Sequence, residues 1–359
     1  MRLRLPFRRK AKLQPEPASS KSPYGLKTLY ESGDPVVEQV AFFIYHFVVF
    51  VHGLTGHREK TWTARGADKP WPGVLLQKEL PESRIMTFGY DADVVDWRAL
   101  VSKNKIDNHA KNLLAALAHI RDDDKAATRP IIFVAHSLGG LISEDALVWS
   151  KDSAEKHLQK IAECTRGILF LGTPHSGSGF AVAAGALARY LNLVKQTNTQ
   201  ILNALRTDSE VLARIQAAFQ NMIRARANDP NLSINITCFY EELPLAVVGE
   251  VVPMRSAILP AYASIGIHGN HMDMTKFQDE DDPGFVSVAG ELRRWVKELS
   301  AAKIAVNSPE QEGHVQAGPQ TPMSRTPPAV THNGNNQGQA RAVYGGSMYN
   351  MAPAETVPG

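Results

Sequence analysis

The 359-residue chain has only two cysteines, Cys164 and Cys238, and no Cys-x-x-Cys or Cys/His spacing. That excludes a disulfide framework and a zinc site of the usual kind, and fits a reducing compartment. Its most apolar run, Val40–Val51, is twelve residues long, short of the ~20 that a membrane-spanning helix needs. The start of the chain lacks the apolar core of a secretory signal. Net positive charge is missing from the body of the protein. Arg2, Arg4, Arg8, Arg9, Lys10 and Lys12 exceed the whole formal charge of +3 and leave the remainder net negative, so no basic face is available for nucleic acid. From residue 305 onward there is no Leu, Ile, Phe or Trp, and such a segment cannot build a core.

These absences divide the chain into a flexible basic leader (1–24), a folded domain (25–300, closing near Leu299) and a disordered tail rich in Pro, Gly and Asn (301–359). The expected compartment is the cytoplasm. The Arg-rich, acid-poor start makes a mitochondrial location one alternative, and peripheral association with a membrane is another.

The domain alternates β-rich runs with helical ones. Val48–Val51, Ile85–Phe88, Ile131–Ala135, Ile168–Leu171 and Ile234–Tyr240 read as buried strands of a mostly parallel sheet. As a single strand at ~3.3 Å per residue, Val40–Val51 would be about double the usual length, so the strand proper is expected at its end. Ile106, Ala110, Leu113, Leu114, Leu117 and Ile120 share one helix face. A last helix is expected from Asp282 as N-cap and Pro283 at the first position, with Phe285, Val288, Leu292, Trp295, Val296 and Leu299 at helical spacing. The pattern predicts an α/β protein with helices on both faces of the sheet and ligands at the carboxyl ends of the strands.

The chemistry gathers at those ends. Ile131-Ile132-Phe133-Val134-Ala135-His136-Ser137-Leu138-Gly139-Gly140 runs from a strand into a helix, the context of a nucleophile elbow at Ser137. Ala135 stands where glycine is commoner. The bland alternative is an ordinary strand-to-helix turn. A serine hydroxyl needs a base, and the base needs an acid to hold its tautomer. In this fold type they follow in the order Ser, Asp or Glu, His. His271, in an irregular Gly-Asn-His loop before the last helix, is the expected base, with His268 the alternative. Glu241, the first carboxylate past Ile234–Tyr240, is the expected acid and Glu242 the runner-up. Asp273 lies too near His271 in sequence to reach its far nitrogen. The backbone amides of Leu138 and Leu54 occupy the oxyanion-donor positions. His52 reads as a packed residue shaping that loop.

Six blocks in order, FVHGLTGHREKTW, RIMTFGYDADV, FVAHSLGG, FLGTPHSG, CFYEELP and NHMDMTKF, resemble the lipase-like serine hydrolases of the α/β-hydrolase fold. The related groups are the GPI inositol-deacylases and the mitochondrial serine-active-site lipase-like proteins. The likeness, strongest to the hydrolase domain of fungal NOD-like proteins, covers about residues 24–299. It implies Ser137 as nucleophile, His271 as base, Glu241 as acid, Leu54 as an oxyanion donor, and His175 as a residue that shapes the site. The chemistry requires no metal and no cofactor. Relative to that family Ala41–Phe47 stands as an insertion. No GxxxxGK[ST] run is present, so any nucleotide-driven assembly would need another protein.

Residues 178–228 are rich in Ala, Leu and Ile and stand where this fold places helical caps. A cap with an apolar underside favours carboxylic or lipid esters and peripheral membrane contact, whereas a helical layer on the sheet is the bland reading. A different expectation is a signalling module: Asn333–Asn350 loosely resembles the amyloid-like motifs of fungal NOD-like systems, with a NOD-like receptor as partner.

Overall fold

Successive residues of a strand point to opposite faces of its sheet, and the strand His46–Val51 (β2) is buried on both. It is central in a seven-stranded sheet built from Gly25–Tyr30 (β1), β2, Ser83–Gly89 (β3), Ile131–His136 (β4), Thr165–Leu171 (β5), Asn235–Glu241 (β6) and Ala263–Ile267 (β7). The spatial order is β1-β3-β2-β4-β5-β6-β7. Only β1 runs antiparallel, on β3; the other pairs are parallel, with Val49 between Met86 and Phe133. The computed structural model describes residues 22–32, 46–92, 103–123, 126–175, 185–186, 189 and 209–307. All of them fall within one compact unit.

The helices are Leu76–Glu79 (α1), Lys103–Asp123 (α2), Leu138–Asp152 (α3), Lys156–Cys164 (α4), Ser209–Arg226 (α5), Met254–Ala257 (α6) and Pro283–Asn307 (α7). Phe47, Val49, Val51, Phe133 and Phe170 turn to one face, where Leu113 and Leu117 of α2, Leu141 and Ile142 of α3, and Ile215 and Phe219 of α5 cover them. Val48, Phe50, Val134, Leu169 and Phe239 turn to the other, against Trp62, Trp71, Leu76 of α1, and Phe285, Leu292 and Trp295 of α7. With helices on both faces and a tight turn after the central strand β4, this is the α/β-hydrolase fold.

Four elements differ from the sequence expectation. β2 begins at His46, two residues before Val48, because Phe47 is fully buried and pairs with Arg84 and Ile131. The strand therefore includes the end of the expected insertion, whose residues 41–45 lie outside those described. The edge strands β1 and β7 gave no apolar run to read, since neither is buried along its length. α7 passes Leu299 and continues to Asn307. Its start is as expected: Asp282 Oδ1 accepts the amides of Gly284 (2.8 Å) and Phe285 (3.3 Å).

Within the expected cap, α5 packs its Phe219 edge-on against Phe170 of β5, the ring centroids 6.2 Å apart. The other cap residues are outside those described, apart from Gly185, Ala186, Arg189, Ala227 and Asn228. The leader up to residue 21 and the tail from residue 308, including Asn333–Asn350, are likewise outside them.

Trp295 shows how closely α7 is fitted. A Cβ on Gly167 of β5 would stand 2.6 Å from its ring, so only glycine admits the indole. Trp295→Ala should cost about 3–5 kcal/mol by urea unfolding, the range for emptying an aromatic site in a core. Val286→Ala on the exposed side of the same helix should stay within about 0.5 kcal/mol.

Candidate active site

β4 delivers Ser137 at the carboxyl end of the sheet with φ 53° and ψ −125°, a conformation that an L residue adopts only under constraint. The constraint is visible on both sides. The Ser137 amide donates to the Leu171 carbonyl at 2.9 Å, and its own carbonyl accepts the Gly140 amide at 3.0 Å. A Cβ on Gly139 would lie 2.4 Å from the carbonyl oxygens of Val51 and His52, and one on Gly140 would lie 2.3 Å from the Thr173 side chain. The two glycines are thus what allows α3 to start directly against β2 and the loop after β5. The methyl of Ala135 is fully buried in the strand beside Val51 and Phe170.

Glu241 is the last residue of β6. Its Oε1 accepts the amides of Val251 and of Val252, the latter at 2.9 Å, and its Oε2 is 3.2 Å from His271 Nδ1, with both side chains essentially inaccessible. Nδ1 and Oε2 are in contact but off the alignment of a hydrogen bond, and His271 Nε2 has no hydrogen-bond partner among the described residues. The His271 loop is shaped by Asn270. Its Oδ1 accepts the amides of Met272 and Asp273 at 3.0 and 3.1 Å, an Asx-type turn. The imidazole lies over Gly172, where a Cβ would come within 3.0 Å of Nδ1. Gly172 directly follows Leu171, which holds the Ser137 amide. Nucleophile candidate, acid candidate and base candidate therefore come from the carboxyl ends of β4, β6 and β7 into one buried cluster.

The alternatives stand elsewhere. His268 and Glu242 face each other at the surface, 3.5 Å apart, with side chains 77% and 44% exposed. The Asp273 carboxylate is occupied with Asn270 and Lys276.

Leu138 is the first residue of α3, so its amide has no acceptor within the helix. The loop that carries Leu54 abuts the elbow: a Cβ on Gly53 would stand 2.7 Å from Ser137 Cβ. His52 shapes that loop. Its Nδ1 pairs with the Gly53 carbonyl at 2.9 Å, and its ring stacks on Tyr90 with centroids 4.3 Å apart and planes 4° from parallel. Burial lowers the His52 pKa to about 4, so the ring stays neutral. The Tyr90 hydroxyl donates to the His52 carbonyl at 2.8 Å. Tyr90 sits in one of the six sequence blocks, yet nothing in the pattern distinguished its hydroxyl from a core aromatic.

His175 follows β5 and is wholly buried. Its Nδ1 is 3.0 Å from Glu144 Oε1 of α3, its Nε2 is 4.0 Å from Cys238 Sγ, and its amide donates to the Ser256 carbonyl at 2.6 Å. Glu144 gave no sequence signal, since a carboxylate in the seventh position of a helix ordinarily faces water. The pair ties α3 to the loop after β5.

A family described as "Putative serine esterase (DUF676)" matches residues 44–224, a span that includes Leu54, Ser137 and Leu138 and ends before Glu241 and His271. Among curated proteins, the human Protein SERAC1 is 28% identical over 279 residues, covering 72% of this chain and 39% of the relative. The Danio rerio Protein SERAC1 is 29% identical over 258 residues, covering 65% and 36%. The chain thus spans about two fifths of the length of these relatives. Among solved structures, an esterase from Rhizomucor miehei is similar at 11% identity and a TM-score of 0.44, covering 79% of this chain and 86% of that one. Esterase B of Lactobacillus rhamnosis is similar at 12% identity and a TM-score of 0.43, covering 78% and 87%. Among the described residues no helix is long and apolar enough to cross a membrane.

The His175–Glu144 pair has a pH signature. Burial alone would lower the His175 pKa, but its contacts with Cys238 and Glu144 outweigh burial and raise it from 6.5 to about 9. A raised histidine contributes stability that is fully present below its unfolded pKa and is lost as pH rises through the folded one. Urea unfolding of the wild type should therefore show stability falling between about pH 6.5 and 9, and Glu144→Gln, which keeps only the Cys238 contact, should show a smaller fall. Parallel curves for the two proteins would remove the pair as the cause.

Proposed function

The chain belongs to the DUF676 serine esterase family, and on that premise we propose that it hydrolyses carboxylic or lipid esters through an acyl-enzyme formed on Ser137. The observation that carries the reading is the buried His271–Glu241 contact of 3.2 Å beside a serine at positive φ. Ser137 Oγ attacks the ester carbonyl while its proton passes to His271 Nε2. Glu241 holds the Nδ1 side of the ring and stabilises the imidazolium that forms. The tetrahedral oxyanion is met by the amides of Leu138 and Leu54. Collapse breaks the ester bond, His271 returns the proton to the departing alkoxide, and the acyl group remains on Ser137. Water, deprotonated by the same imidazole, then releases the acid and regenerates the serine.

Rigid support favours this assignment. The two amides on Glu241 Oε1 fix that carboxylate, and the elbow is held by the neighbouring strand end. Catalytic geometry of this kind depends on groups whose own positions are locked. The preference for acyl esters rests on the family resemblance and on the apolar composition of residues 178–228.

A fluorophosphonate should label the wild type and not Ser137→Ala, and ester turnover in that variant should fall by up to ~10⁶-fold, as for removal of the nucleophile in subtilisin. Equal labelling of both would remove Ser137 from the reaction. The acid is tested separately. Glu241→Gln should lose about 10³–10⁴-fold in kcat because the orienting acid no longer selects the tautomer, whereas Glu242→Gln should stay within a few-fold. The reverse order would transfer the role to Glu242.

A further inference from the structure

One buried imidazole in the cluster has no part in the steps above. His136 closes β4 immediately before Ser137, is 3% exposed, and brings its Nε2 to 2.9 Å from the backbone carbonyl of His271. The two imidazoles lie with centroids 4.8 Å apart and planes inclined at 41°. We propose that His136 is a positioning residue: its Nε2–H, held on the strand that carries the nucleophile, anchors the backbone of His271 and so fixes the distance between base and serine. The proposal rests on the esterase reading of Ser137 and His271.

The chemistry of the contact determines the tautomer. A carbonyl only accepts, so Nε2 carries the hydrogen and a neutral ring has its lone pair on Nδ1. Nδ1 is buried with no hydrogen-bond partner among the described residues. It faces Gly53 of the oxyanion loop, where a Cβ would stand 3.0 Å from it. Protonating Nδ1 would bury an unpaired N–H and a positive charge. The titratable groups around it are His271 and Lys276 from the loop after β7 and His52 from the loop after β2. None of them supplies a negative charge, and burial together with these neighbours holds the His136 pKa well below the usual imidazole range. The ring therefore stays neutral beside His271 while His271 gains and loses its proton.

Packing alone does not explain the residue. A phenyl or isobutyl group would fill the space without leaving Nδ1 unpaired. What imidazole adds is a donor aimed at the base's own backbone, from the residue adjoining the nucleophile. The Glu241 contact orients the ring of His271 from the side chain; the His136 contact holds its main chain. Together they leave the imidazole little freedom to turn from Ser137.

The test combines histidine-selective nitrogen NMR of the wild type with kinetics of His136→Phe and His136→Gln. Rates are expressed per site titrated by fluorophosphonate, so that misfolded protein does not count. In the wild type one imidazole should remain the neutral Nε2–H tautomer from pH 5 to pH 9, and its signal should be absent from His136→Phe. That variant should lose about 10–100-fold in kcat, the scale of a small misplacement of catalytic groups, with KM within about twofold. His136→Gln, which keeps an N–H donor, should recover part of the loss. Titration of His136 near an ordinary imidazole pKa, the Nδ1–H tautomer, or an unchanged kcat in His136→Phe would each overturn the proposal. Because the tautomer is read on the wild type, the test stands even if a variant fails to fold. A wild type that takes no fluorophosphonate while keeping the Nε2–H tautomer would instead overturn the esterase reading and, with it, the role of His136. Normal labelling with unaltered kcat in His136→Phe would overturn the positioning role alone.

Discussion

A serine at φ 53° is costly on a free turn, and much of the molecule can be understood as what keeps it there. β4 is fully buried in mid-sheet and cannot yield, and α3 starts one residue after it. Gly139 and Gly140 let that helix press against β2 and Thr173 at distances no side chain would allow. The Leu171 carbonyl takes the Ser137 amide. With the chain immobilised on both sides of the serine, strain at Ser137 can be relieved only by disrupting the core, so the hydroxyl remains displayed at the strand end.

The same rigidity sets the electrostatics. Three imidazoles surround the site and differ only in their neighbours. His52 and His136 are buried without a carboxylate and are driven neutral. His175 is equally buried but meets Cys238 and Glu144, and is driven the other way. Burial penalises charge wherever it acts; hydrogen-bonding partners such as the Cys238 thiol and the Glu144 carboxylate reverse the outcome. His271 has its own carboxylate, Glu241, in contact with Nδ1, and its Nε2 has no hydrogen-bond partner among the described residues.

The packing that fixes the charges also links distant parts of the chain. Glu241 is held by amides ten and eleven residues further on, and His175 joins α3 to the loop after β5. The Tyr90 hydroxyl, on the far side, grips the carbonyl of His52. The links gather at the carboxyl ends of the parallel strands, where this class of fold collects its functional groups.

The sequence by itself determined what is local or periodic. Buried central strands announce themselves as apolar runs, and α7 announces its start through Asp282 and Pro283, because these signals arise from the residues' own backbone and burial preferences. The order of Ser137, Glu241 and His271 was legible for the same reason: each stands just past a recognisable strand or loop signal. The edge strands β1 and β7 were not, since half-exposed strands need no apolar run. Phe47 was read as part of an insertion because only its partners Arg84 and Ile131 show that it belongs to the ladder. The separation of His271 and Glu241 from His268 and Glu242 belonged to the tertiary structure alone. So did the meeting of His136 with the carbonyl of His271, 135 residues later in the chain. In both cases the deciding quantity is burial beside a specific partner. That partner is supplied by another strand end and is invisible in the spacing of residues along one segment.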